Sequence, residues 1–558
     1  NRDYEFFYAP GTIDVPRHFR LYATPEGLTD ENIDAFIEEF NRIGFRGCVL
    51  EDVSQEQLDK FIQECPDLER LSVETNSASD LTTIGTLTHL RTLDIVGSGF
   101  SDLSPLTELA ELEWLYLSGA KSLVDLSPLK EMTRLRELTL KACPSVSDLS
   151  PVGELVNLER LVVSRANTRD LTCLETLTQL RSLTIEFSDA SELPDLAGLT
   201  RLSEIALYSC DNLTDLTPLT DLPRLRTLSL EYSEGLRDLT PLTQIESLRS
   251  LDLRKTDIVD LTPLGEMTGL RSLKLNGMES ISSLKPLATL TQLRRLELRN
   301  VKNAGDITPL AGMTDLTRLD LTGYTGDLSG IAAFTSLRGL TLTGTSFRDL
   351  SLLSDMNQLD TLIIESYSPG GGVTDLAPLA EMARLRTLHL DVSGVTDISA
   401  LGELKNIRTL MIANGDQITD FTAIGDLAEL ESLTLKNFPT LTAVPALGEC
   451  DRLRHLTLYK CPSVTDYALL NDYGNLTSLK IANRFMIEDW SWLADAPQIR
   501  DLEILGCKPS NPDSLIPAQH LRTLMIRNCA TFDSAELTRL RTALPNCTVT
   551  QEHAHMGS

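Results

Sequence analysis

Aromatic side chains are scarce in this chain of 558 residues: they make up 5%, with three tryptophans. A core of that composition has to be assembled from aliphatic layers. No apolar run reaches the ~18 residues that a membrane-crossing helix needs, and no secretory leader opens the chain. The sequence begins at Asn1 without a methionine, which we read as a processed or trimmed N-terminus. Motifs that carry chemistry are missing as well. There is no G-x-S-x-G, no glycine-rich phosphate loop, no H-E-x-x-H and no cysteine–histidine cluster. Ten cysteines occur without a C-x-x-C pair or zinc spacing, so no metal site and no cofactor are expected. Scattered thiols fit a reducing compartment better than an oxidising one; secretion or cell-surface display is the alternative. Basic residues also fall short. Fifty Lys and Arg against eighty Asp and Glu leave a net charge of −30, which disfavours nucleic acid and anionic membrane as partners for the molecule as a whole.

What the chain does have is a repeat. The stretch LRTLDIVGSGFSDLSPLTELAE, starting at Leu90, recurs in twenty-one copies whose first residues run from Leu68, Leu90, Leu112 and Leu135 to Leu476, Ile499 and Leu521. The interval is 22 or 23 residues, apart from one of 21 and one of 26. Apolar residues hold positions 1, 4, 6, 11, 14, 17 and 20, filled in the second copy by Leu90, Leu93, Ile95, Phe100, Leu103, Leu106 and Leu109. Alternation at positions 4 and 6 predicts a short strand with one buried face. Position 13 is Asp in sixteen copies, from Asp80 to Asp489. Ser or Thr and then Pro follow, as in Ser104-Pro105 and Thr217-Pro218, predicting a hydroxyl N-cap with proline at the first helical position. About five residues remain before the next strand, room for roughly one turn of 3₁₀ helix. Each Asp is expected to accept N–H bonds from the turn that follows it, in preference to holding calcium.

One unit cannot bury its apolar set alone, whereas stacked neighbours can, with parallel strands pairing along the array. L-x-x-L-x-L followed by D-L-[ST]-P-L-x-x-L resembles the short-period leucine-rich repeats of the internalin-like type, over more than four fifths of the chain. That resemblance implies an α/β solenoid: a right-handed superhelix with a parallel β-sheet on its concave face, short 3₁₀ or irregular convex segments, and helical caps at both ends. It also implies a non-enzymatic protein-recognition scaffold that binds a macromolecular partner on the concave sheet face. The alternatives are a sensor or substrate-selecting region of a larger switch or enzyme whose effector lies upstream of residue 1, and a surface or secreted adhesin similar to internalins. In this repeat class position 9 is a buried ladder site, so Cys143, Cys210, Cys461, Cys507 and Cys529 are expected to fill it as small, weak donors.

Binding residues are sought on the outward strand positions 3, 5 and 7, which the core does not need. These carry eleven basic and thirteen acidic residues, and position 2 adds thirteen arginines against five acids. The strand face is therefore net positive on an acidic chain, and its partner need not be basic. A protein partner and a monomeric chain are expected. Aromatic and arginine side chains dominate hot spots. Trp114 and Tyr116, with Asp94, Glu137 and Lys141 on neighbouring strands, form the first candidate patch. Tyr208, Glu231, Asp252 and Arg254 form a second, and Lys436, His455, Tyr459 and Lys480 a third. Arg295, Arg299 and His389 are further candidates.

Along the chain, residues 1–28 are an aromatic extended lead-in and 29–65 a helical cap. In that cap Thr29 is the expected N-cap of the first helix, and Ser54 to Gln57 is a capping box for the second. The solenoid spans 66–530, interrupted by Gly370-Gly371-Gly372, which we read as a loop insertion. Trp490 and Trp492 replace the usual Leu and Pro as the array terminates. Residues 531–550 form a helix–strand cap opened by Ser534, with Leu537, Leu540 and Leu544 on one face and a last strand around Val549. Residues 551–558 are a tail or a cloning remnant.

Overall fold

The computed structural model describes residues 22–23, 28–30, 32–74, 79–366, 372–448, 450–482, 490–506, 511–529 and 532–552. Most of the aromatic lead-in, Gly370, Gly371, Asp489, Cys507 and the tail from 553 on lie outside them. The chain divides into two compact units, 1–281 and 282–558.

The first unit opens with helices Ile33–Ile43 and Gln55–Glu64. Ile33, Ile37 and Phe40 of one meet Leu58, Phe61 and Ile62 of the other in the core, with the Phe40 and Phe61 rings edge to face at 5.3 Å. The first cap falls on Asn32, three residues later than expected. The Thr29 carbonyl accepts from the amides of Asn32 and Ile33, and the Thr29 amide donates to Asn32 Oδ1 at 2.7 Å, so Thr29 sits in a turn ahead of the helix. The second helix has the reciprocal Ser54–Gln57 capping box.

Every leucine-led copy then contributes a strand. In the first unit parallel pairing puts Leu93 beside Leu115, Leu138, Leu161, Leu183, Ile205, Leu228, Leu251 and Leu273 in turn. All of these side chains are buried. Alternation explains the result: Leu115 and Leu117 enter the core, while Trp114 and Tyr116 between them face out. Burying one leucine contributes about 1.5–3 kcal/mol, so repetition, rather than any single contact, stabilises the stack.

Most return segments are the expected short 3₁₀ turns, with one α-helical turn at Thr422–Gly425 and, among the described residues, none after Ser182–Glu186 or Ser432–Lys436, but their caps differ in detail. Asp102 Oδ1 accepts the Ser104 amide at 2.8 Å, and Asp125, Asp148, Asp215, Asp238 and Asp260 repeat that bond at 2.8 Å to Ser127, Ser150, Thr217, Thr240 and Thr262. The aspartate is therefore the acceptor. The hydroxyl expected to cap instead donates, as when Ser127 Oγ bonds Asp125 Oδ2 at 2.9 Å. A full carboxylate two residues upstream outcompetes a hydroxyl for the free amides of the turn.

Position 8, just past the strand, has positive φ in six consecutive copies: +52° at Ala142 and Arg165, +54° at Phe187, +50° at Ser209, +60° at Tyr232 and +57° at Lys255. Its amide continues the sheet ladder, as in Phe187 to the Tyr208 carbonyl (2.9 Å) and Tyr232 to the Arg254 carbonyl (2.9 Å). Phe187 and Tyr232 are left half-exposed there.

The second unit repeats the pattern, its strands pairing parallel and in order from Arg295–Glu297 to Thr548–Glu552. Trp490 is fully buried in a leucine's place, and Trp492 stacks on Tyr467 at 4.5 Å. The closing helix, Ser534–Ala543, is capped by Asp533, whose side chain accepts the Glu536 amide at 2.8 Å while Glu536 returns the bond. The cap thus falls one residue before the expected Ser534, again because a carboxylate was available. Leu537, Leu540 and Leu544 are buried under it. Position-9 cysteines Cys143, Cys210, Cys461 and Cys529 are buried, their sulfurs against backbone carbonyls, as Cys461 Sγ to Leu435 O at 3.4 Å. Burial pushes the Cys210 and Cys461 thiols up to about 11.

Candidate binding face

The outward positions separate into residues that satisfy one another and residues left for something else. Glu231, Arg254, Asp252 and Lys274 belong to the first group. Arg254 Nη2 reaches Glu231 at 2.6 Å, Arg254 Nε reaches Asp252 at 2.8 Å, and Lys274 Nζ reaches Asp252 at 3.1 Å. Burial raises the Asp252 carboxyl, but bonds from Arg254 and Lys274 outweigh it and hold the group below its ordinary range. Burial dominates at Glu231, which stays raised in spite of Arg254. Of the second candidate patch, Tyr208 ends its strand beside Glu186, and the next amide, of Ser209, continues the ladder to the Glu231 carbonyl at 3.0 Å.

In the second unit Arg295 pairs with the buried Glu297 (2.9 Å) and Arg299 with Asp320 (2.7 Å). In the third candidate patch the register sets Lys436 beside Tyr459, while its two lysines turn to different glutamates. Lys436 turns to Glu365 at 3.2 Å, where His389 also lies at 3.7 Å, whereas Lys480 turns to Glu503 at 2.9 Å. His455 and Tyr459 occupy opposite ends of one strand, and Lys460 covers the Tyr459 ring at 5.5 Å.

Trp114 and Tyr116 present a different picture. Register places Trp114 between Thr92 and Glu137, and Tyr116 between Asp94 and Thr139. Together with Arg70 and Arg160 they line an open hollow of about 490 Å³. Burial raises the Asp94 carboxyl above its ordinary range, with Arg70 pulling the other way, and Glu137 is shared with Arg160 at 3.7 Å. Lys141, predicted alongside, lies exposed at the far end of its strand beside Ser118 and Ser164 and does not line the hollow. Geometrically this is two aromatic side chains on one strand with a partly desolvated carboxylate on the next.

Two features escaped sequence reasoning. Phe187 and Tyr232 occupy the left-handed position 8, with the Arg165 guanidinium 4.9 Å from the Phe187 ring; aromatics where other copies carry Gly or Asn were the available signal. The second is a row of arginines at the strand starts, Arg181, Arg201, Arg224 and Arg226, around a hollow of about 430 Å³. The available signal was arginine at position 0, in Arg201 and Arg224, beside the arginines of position 2.

Register, layered leucines and Asp-turn returns give the architecture of a leucine-rich-repeat solenoid, with repeats similar to the short-period internalin-like kind. The family profile for R13L1/DRL21 leucine-rich repeats matches residues 162–233. No curated protein matches the chain. Among solved structures, an internalin of Listeria monocytogenes is 26% identical, covering 57% of this chain and 84% of its own, at a TM-score of 0.44. A leucine-rich-repeat protein of Leptospira interrogans is 15% identical over 88% of this chain and 98% of its own, at 0.43. The ectodomain of the Arabidopsis thaliana receptor kinase GASSHO1/SCHENGEN3 is 14% identical over 96% and 75%, at 0.45.

Proposed function

We propose that this protein is a non-enzymatic recognition scaffold that binds a protein partner on the outward sheet face of its first unit, with Trp114 and Tyr116 as anchors. One observation carries the reading. Trp114 and Tyr116 sit on a strand whose core work is done by Leu115 and Leu117, so neither aromatic is needed for the layer. Both border the same hollow. Large, rigid aromatics beside a half-buried carboxylate are what interface hot spots are made of, and in much of the rest of the face the charges are taken up by each other.

The test is capture of the partner from the source organism's proteome by the full chain, followed by affinity measurement. Trp114→Ala with Tyr116→Ala should weaken binding roughly thirtyfold or more, as loss of a hot spot worth about 2 kcal/mol requires, with unchanged thermal unfolding. Equal affinity would remove this face from the interface.

A further inference from the structure

Position 2 of the first unit forms a column in which consecutive repeats carry Arg91, Glu113, Arg136, Glu159 and Arg181. Each rung neutralises its neighbours. Arg91 lies 3.5 Å from Glu113, Arg136 lies 4.0 Å from Glu113 and 3.4 Å from Glu159, and Arg181 lies 3.2 Å from Glu159. The next rung should be acidic. It is Ser203, and Arg226 follows it.

The break coincides with an excess of cations. Position 0 contributes Arg201 and Arg224, which join Arg181 and Arg226 around the hollow of about 430 Å³, with Glu204 as the acid on its lining. Among the described residues Arg181 keeps Glu159, whereas Arg201, Arg224 and Arg226 enter no ion pair. Like charges gathered in this way repel unless an anion lies between them. On a chain of net charge −30 such a gap is a local inversion of the field.

We infer that this hollow receives an acidic segment of the protein partner, whose carboxylates stand where the column lacks a glutamate at Ser203. The column itself supplies the chemistry: on one side its arginines, Arg181 included, are each met by a carboxylate one strand away. Guanidinium forks match carboxylate geometry and pair with it more firmly than neutral donors do. The segment's charge repels it from the rest of this acidic molecule, which makes the hollow selective. The inference rests on the scaffold reading for the partner being a protein, but it uses residues distinct from Trp114 and Tyr116.

The experiment measures binding of a neutral-dye-labelled oligoglutamate peptide to the full chain by fluorescence anisotropy, with the oligoglutamine peptide as control. The glutamate peptide should bind, weaken as salt is added, and lose roughly tenfold in affinity on Arg224→Ala with Arg226→Ala. Ser203→Glu sets a carboxylate between Arg181 and Arg226 and should weaken binding to a similar extent without lowering thermal stability. Trp114→Ala with Tyr116→Ala should leave peptide binding intact, which separates failure of this inference from failure of the scaffold reading. Equal binding of both peptides, full binding by Ser203→Glu, or displacement by inorganic phosphate at peptide-like concentrations would each overturn the proposal.

Discussion

Lys436 Nζ lies 3.2 Å from Glu365 Oε2 although 71 residues separate them in sequence. Two whole strands, Thr387–Asp391 and Thr409–Ala413, stand between the strand that Glu365 follows, Thr361–Ile364, and the one that Lys436 ends, Ser432–Lys436. Long outward side chains therefore reach past their immediate neighbours. Bonds from His389 and Lys436 hold the Glu365 carboxyl below its ordinary range. Because both ends of the pair remain partly solvated, Glu365→Gln should lower stability by less than about 1 kcal/mol. A double-mutant cycle with Lys436→Met measures the coupling; a value several times larger would show the cluster to be a buried network.

Leu251 is fully buried, in register with Leu228 and Leu273. Leu251→Ala should cost about 2–5 kcal/mol in urea unfolding, the range for a cavity in a well-packed layer. A loss below about 0.5 kcal/mol would mean that neighbouring rungs collapse into the gap.

Acid should weaken the fold through the turn aspartates. Side-chain and backbone bonds from Ser104 lower the Asp102 carboxyl, and those from Thr217, Thr240 and Thr262 do the same at Asp215, Asp238 and Asp260. A depressed folded-state pKa contributes stability that is complete above the unfolded value of about 4 and is lost as pH falls through the folded value. Thermal midpoints should thus hold steady from neutral pH down to about pH 4 and decline below it. Asn keeps the acceptor without titrating, so Asp→Asn changes at these four sites should flatten the decline; an unchanged profile would locate the acid sensitivity elsewhere.

Tyr232 pays a conformational cost at φ +60°, a region that costs non-glycine residues about 1–2 kcal/mol. Tyr232→Gly should be neutral or slightly stabilising, whereas the β-branched Tyr232→Val should destabilise by about 1 kcal/mol or more. The measurement is the order of melting temperatures for the three proteins. Valine melting with glycine would show that the backbone relaxes there.

Much of the architecture could be read before any coordinate. Leucines at Leu93, Leu115 and Leu138 recur at an interval that only a stack of parallel strands can bury, and strict alternation placed Trp114 and Tyr116 outward. The Asp acceptor was legible from D-L-[ST]-P, yet at both Ser127 and Ser534 the carboxylate upstream took the cap that a hydroxyl was expected to fill. Local competition of that kind turns on which acceptor reaches the free amides.

Burial periodicity is written into the chain, so the amino-acid order alone determined which side chains form the layers and which leave them. Charge pairing is decided otherwise. Whether Lys436 meets Glu365 or a closer residue, and whether Arg226 finds a carboxylate, depends on residues one or more repeats away and on how far a side chain spans between strands. Tertiary structure alone decided that Glu231 and Arg254 neutralise each other, that Lys436 and Lys480 turn to different glutamates, and that Arg201, Arg224 and Arg226 gather with no ion pair among the described residues. Coulombic and hydrogen-bonding energies fall off over a few ångströms, and no one-dimensional pattern carries distances on that scale.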